Sequence, residues 1–172
     1  MMMRYALILC LMLCAVPPCS IAAGMSEDDA KASFLVALLG YVEWDNRPQA
    51  SPSTLCLAAG NEVRESLLVV IESRRLGKKV AVRQLDTSRD VDGCDAVFID
   101  ARQAKGGGVV LKKAMERHLL TIGMGDQFIA QGGLVAIAFP GGRLSLSLNI
   151  KAAAAHGIKF SSRLISLARQ VY

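Results

Sequence analysis

Cys94-Asp95-Ala96-Val97-Phe98-Ile99-Asp100 is the stretch that decides the fold. Ala96 to Ile99 is apolar without a break and closed at each end by aspartate. So short a run reads as a strand. Working outward, the same punctuation recurs. Upstream, Val80 to Leu85 is a second apolar run. Before it, Glu62 to Ser73 carries Val63, Leu67, Val70 and Ile71 at helical spacing, with a cap at Asn61 and a stop at Gly77. Leu55-Cys56-Leu57-Ala58-Ala59 is the first run of the series. Downstream, Gln103 to Arg117 is helical through Val110, Leu111, Ala114 and Met115, and Leu119 to Ile122 is a fourth strand. Short apolar strands alternating with helices predict an α/β fold: a single three-layer domain whose mostly parallel sheet is flanked by helices. A right-handed doubly wound connection places these four strands in the order 2-1-3-4.

The flanks differ from this centre. Ser26 and Asp29 have capping-box spacing, and Ala30, Phe34, Leu38 and Val42 recur every four residues, which predicts a first helix ending near Trp44. Residues 45–53 are polar and carry Pro48 and Pro52. In the last third, Leu134 to Phe139 is a strand and Pro140-Gly141-Gly142 a turn. Arg143 to Asn149 alternates, with Leu144, Leu146 and Leu148 on one side and Ser145 and Ser147 on the other. This predicts a C-terminal antiparallel hairpin with one wet face at the sheet edge. Lys151 to His156 reads as a short helix closed by Gly157. Ser161 caps a last helix with Leu164, Ile165, Ala168 and Val171 on its buried stripe.

At the front, Arg4 precedes twelve apolar residues, Tyr5 to Val16, then Pro17-Pro18 and the small-residue stretch Ser20-Ile21-Ala22. This is the pattern of a secretory signal peptide over residues 1–22, leaving one domain over 26–172. Twelve helical residues span about 18 Å, less than the roughly 30 Å of a bilayer core. An uncleaved anchor is the alternative. Export to the periplasm, without membrane insertion after cleavage, is the expectation.

Cys10, Cys14 and Cys19 fall in the leader, and Cys56 and Cys94 remain. Two cysteines in an oxidising compartment make one disulfide, or stand as two separate buried thiols. In the order 2-1-3-4 both lie near the starts of neighbouring strands. Such starts are about 4.8 Å apart, and disulfide Cα atoms sit roughly 4.4–6.8 Å apart, so the bridge is reachable. The formal charge is +5. Basic residues are spread out and aromatics do not interleave with them, so the surface suits an acidic partner and not nucleic acid.

Catalytic constellations are missing. His118 and His156 are the two histidines, with no metal-binding His or Cys spacing around them. No Gly-x-Ser-x-Gly elbow is present. Gly106-Gly107-Gly108 lacks the Lys-Ser/Thr of a P-loop. Gly123-Met124-Gly125 is half a dinucleotide fingerprint, with Phe128 where the third glycine belongs. Each reads as a turn, and His156 beside Gly157 reads as a partner for its helix end. The chain is expected not to be an enzyme and to need no cofactor. Tyr41 and Trp44 pack in the core or anchor an interface, since Trp, Tyr and Arg dominate binding hot spots.

An ordered set of segments then resembles a known family. Tyr41-Val42-Glu43-Trp44, Leu55 to Gly60, Cys94 to Ile99 and Leu120-Thr121-Ile122-Gly123 with Asp126 and Phe128 come first. Gly132-Gly133, Leu148-Asn149-Ile150 and Ser161-Ser162-Arg163-Leu164-Ile165 with Leu167-Ala168-Arg169 follow. Over almost all of its exported length the chain resembles the YfiR family of periplasmic proteins. The resemblance implies a repressor that binds the periplasmic PAS-like sensor domain of a membrane-bound diguanylate cyclase, lowers cyclic di-GMP signalling and forms a homodimer. It also implies a cysteine pair at Cys56 and Cys94. The second pair of some relatives is replaced here by Ile129 and Ala136, which departs from a redox-switch reading; the usual Trp-Pro is Trp44-Asp45, a smaller deviation. Partner contacts are expected at Tyr41, Trp44, Arg163 and Arg169. The competing expectation is a small-molecule binder with a pocket at the carboxyl ends of the strands, lined by Gly60, Asn61, Asp100, Asp126 and Gln127. An exported enzyme of unknown type is the third.

Overall fold

The computed structural model describes residues 26–45, 51–86, 90–100 and 106–172. The expected signal peptide over residues 1–22, Pro48 and the start of the helix expected from Gln103 lie outside them. Along the chain run α1 (Glu27–Leu39), β1 (Val42–Trp44), β2 (Ser53–Ala58), α2 (Asn61–Ser73), β3 (Val80–Gln84) and β4 (Ala96–Ile99). They are followed by α3 (Gly107–Glu116), β5 (Leu120–Met124), α4 (Asp126–Ala130), β6 (Val135–Ala138) and β7 (Ser145–Leu148). The chain closes with α5 (Ile150–Ala155), β8 (Ile158–Phe160), α6 (Ser162–Leu167) and β9 (Gln170–Val171).

The main sheet has the order β3-β2-β4-β5-β6-β7-β9. Its first four strands are the 2-1-3-4 arrangement expected from the sequence. All neighbours are parallel except β6 and β7, the hairpin around Pro140. Each central strand divides its side chains between two cores, because successive Cβ atoms point to opposite faces. Leu55, Leu57, Ala96 and Phe98 pack with α1, α2, α5 and α6. Cys56, Ala58, Val97 and Ile99 pack with α3 and α4. Three layers result.

Four expectations need correction, three of them because a distant segment competes for the residues. First, α1 has the expected Ser26–Asp29 capping box but ends at Leu39 with Gly40 as its cap. Its buried face is Ala32, Leu35, Val36, Leu38 and Leu39, not the four-residue repeat through Ala30 and Phe34. Val42 to Trp44 leave the helix because they pair antiparallel with Ile158 to Phe160, a partner far away in the chain. Secondly, α2 starts at Asn61 without a side-chain cap and stops at Ser73, before Gly77. Arg75 takes the left-handed conformation usual for glycine, with φ 54°, and Leu76 N–H donates to Ile71 O at 2.8 Å.

Thirdly, β7 is neither an edge nor wet on its serine side. β9 covers its edge, and Ser147 is buried at 2% exposure under α4, donating to Asp126 Oδ1 at 2.8 Å. Leu144 is the exposed leucine of the three. Fourthly, the last helix stops at Leu167. Ala168 turns extended, and Val171 goes into β9 on the surface.

Asp126 links these corrections. Its second oxygen accepts from Arg169 Nη2 at 2.8 Å, so one carboxylate holds β7 and the C-terminal tail. The two contacts differ in worth. Arg169 and Asp126 side chains are 59% and 48% exposed, and pairs of that kind contribute about 0–1 kcal/mol. The Ser147 hydroxyl is buried, and a stranded buried polar group costs about 1–3 kcal/mol. Asp126→Ala is therefore expected to lower the urea midpoint clearly and Arg169→Met only slightly. Equal losses in the two variants would contradict this division.

A buried charge accounts for Asp100. Lys31 Nζ, on a side chain 4% exposed, lies 2.9 Å from Asp28, 3.0 Å from Glu27 and 3.8 Å from the fully buried Asp100. Burial pulls the ammonium pKa down. Hydrogen bonds and attraction from Asp28 and Glu27 outweigh it, and the pKa is raised above its ordinary value.

Candidate functional site at the amino ends of the strands

A cleft of about 580 Å³ opens beside the starts of β4 and β5. Its size falls within the roughly 300–1,000 Å³ of ligand sites. One wall is the end of α3 with Arg117, His118 and Leu119. Another is the corner between α5 and β8 with Ala155, His156 and Gly157. Trp44 at the end of β1 and Cys94–Asp95 before β4 complete it.

The floor is fixed by three devices. Cys56 on β2 and Cys94 form a disulfide, with Cα atoms 5.8 Å apart. Of the two sequence readings, bridge or separate thiols, the structure has the bridge. Asp95 clamps the strand starts: its N–H donates to Thr54 O at 2.9 Å, and its Oδ2 accepts from Thr54 N–H at 2.7 Å. Arg83 stands opposite Cys56 in the β2–β3 register. Its Nη2 donates to the carbonyls of Asp90 at 2.8 Å and Asp92 at 2.6 Å, and lies 3.1 Å from Cys94 Sγ. Arg83 thus ties the turn carrying Cys94 to the edge strand.

The walls bring the two histidines together, which their separate positions in the sequence did not indicate. α3 ends with His118 N–H bonded to Met115 O at 3.0 Å and Leu119 N–H to Ala114 O at 2.9 Å. That is a Schellman ending, and His118 holds its left-handed position with φ 55°. His156 caps α5, donating its backbone N–H to Ala152 O and Ala153 O, while its ring, expected to serve the helix end, turns to His118. The rings meet edge to face with centroids 4.8 Å apart and Nδ1 atoms 3.1 Å apart. Partial burial, and then the neighbouring His118, lower the pKa of His156.

The four residues expected to contact a partner divide into two groups. Tyr41 and Arg163 come together, the guanidinium 5.8 Å from the ring centroid, and Ser161 N–H donates to Tyr41 O at 2.9 Å. Trp44 lies on the same β1–β8 ribbon, half-buried against the core and lining the cleft. Arg169 is elsewhere, tied to Asp126. On the ribbon, Lys159 pairs with Asp45 at 2.6 Å, and that hydrogen bond and charge raise the lysine's pKa.

The residues expected to line a small-molecule pocket do follow β2, β4 and β5. Of their polar groups, Asp100 is buried beside Lys31 and Asp126 holds Ser147 and Arg169, while Asn61 and Gln127 are exposed. The cleft lies at the opposite ends of the strands and shares none of these residues. Ile129 and Ala136 are buried in the core beneath α3 and α4.

Comparison with known proteins adds the following. The family model described as YfiR/HmsC-like matches residues 28–169. Comparison with curated protein sequences gives no match. Among solved structures, a conserved domain protein from Vibrio cholerae O1 biovar El Tor is similar at TM-score 0.58 and 13% identity, over 86% of this chain and 60% of that one. The ABC domain from Streptococcus pneumonia, solved in complex with L-Trp, is similar at TM-score 0.56 and 12% identity, over 84% of this chain and 60% of that one. The chain thus spans about three fifths of each of these proteins. At such identities the likeness is one of fold.

Proposed function

We infer that this protein, which belongs to the YfiR/HmsC-like family, holds a diguanylate cyclase inactive by docking on the cyclase's periplasmic sensor domain. The family is one of periplasmic regulators of diguanylate cyclases, not of catalysts, and membership supports a regulatory role in general terms. Docking is our reading, and so is export through a signal peptide over residues 1–22 followed by one domain over 26–172.

The observation that carries the docking reading is the β1–β8 ribbon. Trp44 ends its first strand, Tyr41 immediately precedes that strand, and α6 after the second strand brings the Arg163 guanidinium to 5.8 Å from the Tyr41 ring. Tyr, Trp and Arg are the residue types that concentrate interface energy. Arg169 contributes indirectly in this reading, by holding the C-terminal tail against Asp126. The mechanism is a population shift. The sensor domain has two arrangements, and this protein binds the inactive one more tightly; only such a difference can move the equilibrium. A homodimer would double the docking surface and increase avidity.

The test is capture of the cyclase from detergent-solubilised membranes by the tagged protein. Hot-spot truncations cost about 2 kcal/mol or more. Trp44→Ala and Arg163→Ala are therefore expected to weaken capture at least tenfold while Leu68→Ala, at an exposed site on α2, leaves it unchanged. Failure of the folded wild-type protein to retain any cyclase would reject the reading. Sedimentation of the purified protein tests the dimer.

A further inference from the structure

The geometry points to a divalent transition-metal site between His118 and His156, taking Cu²⁺ or Zn²⁺ through the two Nδ1 atoms. It stands independently of the docking reading.

The two Nδ1 atoms are 3.1 Å apart. With metal–nitrogen bonds of about 2.0–2.1 Å, that separation closes an N–metal–N angle of roughly 98°, between the square and tetrahedral values. At that distance one Nδ1 carries the proton and donates to the other; with both rings in the Nε2–H tautomer, both Nδ1 lone pairs are free for a shared ion. Neutral imidazole is a common ligand for zinc and copper, and copper binds nitrogen sites most tightly of the divalent series. The cleft supplies what the protein ligands do not. No group of three or more His, Cys, Asp or Glu side chains could hold a metal among the described residues, so the remaining positions face the cleft and go to water or an exogenous ligand. An ion with open positions is the arrangement that exchanges and responds to its surroundings, unlike the closed four-ligand structural sites.

The backbone at His118 is a separate observation. Its φ of 55° is a conformation in which glycine is at ease and a side chain is not. A histidine in this position projects its ring across the end of the sheet to meet a residue of the opposite helical layer. Helix ending alone would be served as well by glycine.

The experiment uses the untagged purified protein, stripped of metal with chelator and titrated with Cu²⁺ and, separately, Zn²⁺. Wild type is expected to take one equivalent of Cu²⁺ per chain, with paramagnetic resonance reporting two imidazole nitrogens. His118→Gly relieves the left-handed backbone and stays folded. It is expected to bind at least tenfold more weakly, with at most one imidazole signal. His156→Gln is expected to do the same. Substoichiometric uptake by the wild type, or unchanged affinity in His118→Gly, overturns the proposal. So does a copper spectrum that lacks histidine nitrogens. Equal behaviour of all three proteins would assign the metal to the chain's amino terminus or surface instead.

Discussion

Replacing both Cys56 and Cys94 with alanine is expected to lower the stability of the oxidised protein by about 4 kcal/mol, seen as a melting temperature lower by roughly 10–15 °C. The figure follows from the separation of 38 residues between them, since a closed loop of that size removes chain entropy from the unfolded state. Packing losses add little. Cys56 is fully buried and Cys94 nearly so, yet alanine differs from each by a single sulfur. The effect should be local as well as global. Cys94 ends a turn whose carbonyls at Asp90 and Asp92 are held by Arg83, and without the bridge to β2 the turn keeps Arg83 of the edge strand and the exposed Arg117–Asp92 pair. Amide exchange across residues 90–95 should therefore rise before the rest of the sheet opens. Reduced wild type should melt with the double variant. A double variant melting within about 2 °C of the oxidised wild type would show that the bridge contributes no stability in solution.

The second large effect is at a glycine. Phe128, on α4, is 6% exposed, and its ring is sandwiched between Gly123 at the end of β5 and Gly133 before β6. A Cβ at Gly123 would overlap the Phe128 ring, and one at Gly133 would overlap the ring and approach Phe128 O at 2.8 Å. Overpacking of this kind costs about 1–3 kcal/mol and sometimes more. Gly123→Ala is expected at the upper end, because the ring is enclosed by two strands and has no direction to move. Phe128→Ala alone is expected to cost about 3–5 kcal/mol through the lost ring. The double variant separates the mechanisms. All the closest atoms to a Cβ at Gly123 belong to the Phe128 side chain, so in the Phe128→Ala background Gly123→Ala should cost almost nothing further. Additive losses in denaturant titrations would mean that Gly123 is needed for its own backbone and not for the ring.

Gly123 also shows how a sequence signal can be sound in position and mistaken in meaning. Gly123-Met124-Gly125 after a strand resembles part of a nucleotide loop. Phe128, which breaks that fingerprint, is what the glycine makes room for: its ring fills the space that a side chain at Gly123 would take. Gly133, named in the sequence only as part of the family resemblance, is likewise used by the packing as a slot for the Phe128 ring. The candidate site was legible only in parts. Cys56 and Cys94 could be paired because strand order fixes which starts are neighbours, and Trp44 stood out by its type. His118 and His156 could not be joined, because 38 residues and two layers separate them and neither has a helical or strand partner at ligand spacing. The one local clue was a histidine, not a glycine, at the end of α3.

What the chain determines by itself is the inner sheet. Runs such as Ala96 to Ile99 are apolar on both sides of a period-two backbone, and no other placement in water satisfies them, so strand identity, parallel pairing and the order 2-1-3-4 follow from local pattern and handedness. The margins were decided by tertiary structure. Val42 to Trp44 continue a helical pattern, yet they become a strand because Ile158 to Phe160 offer backbone partners. Gln170 and Val171 likewise leave a helical stripe to cover the edge of β7. Short segments with weak propensity take whichever partner satisfies their backbone groups, and that partner lies too far along the chain for any local window to contain it.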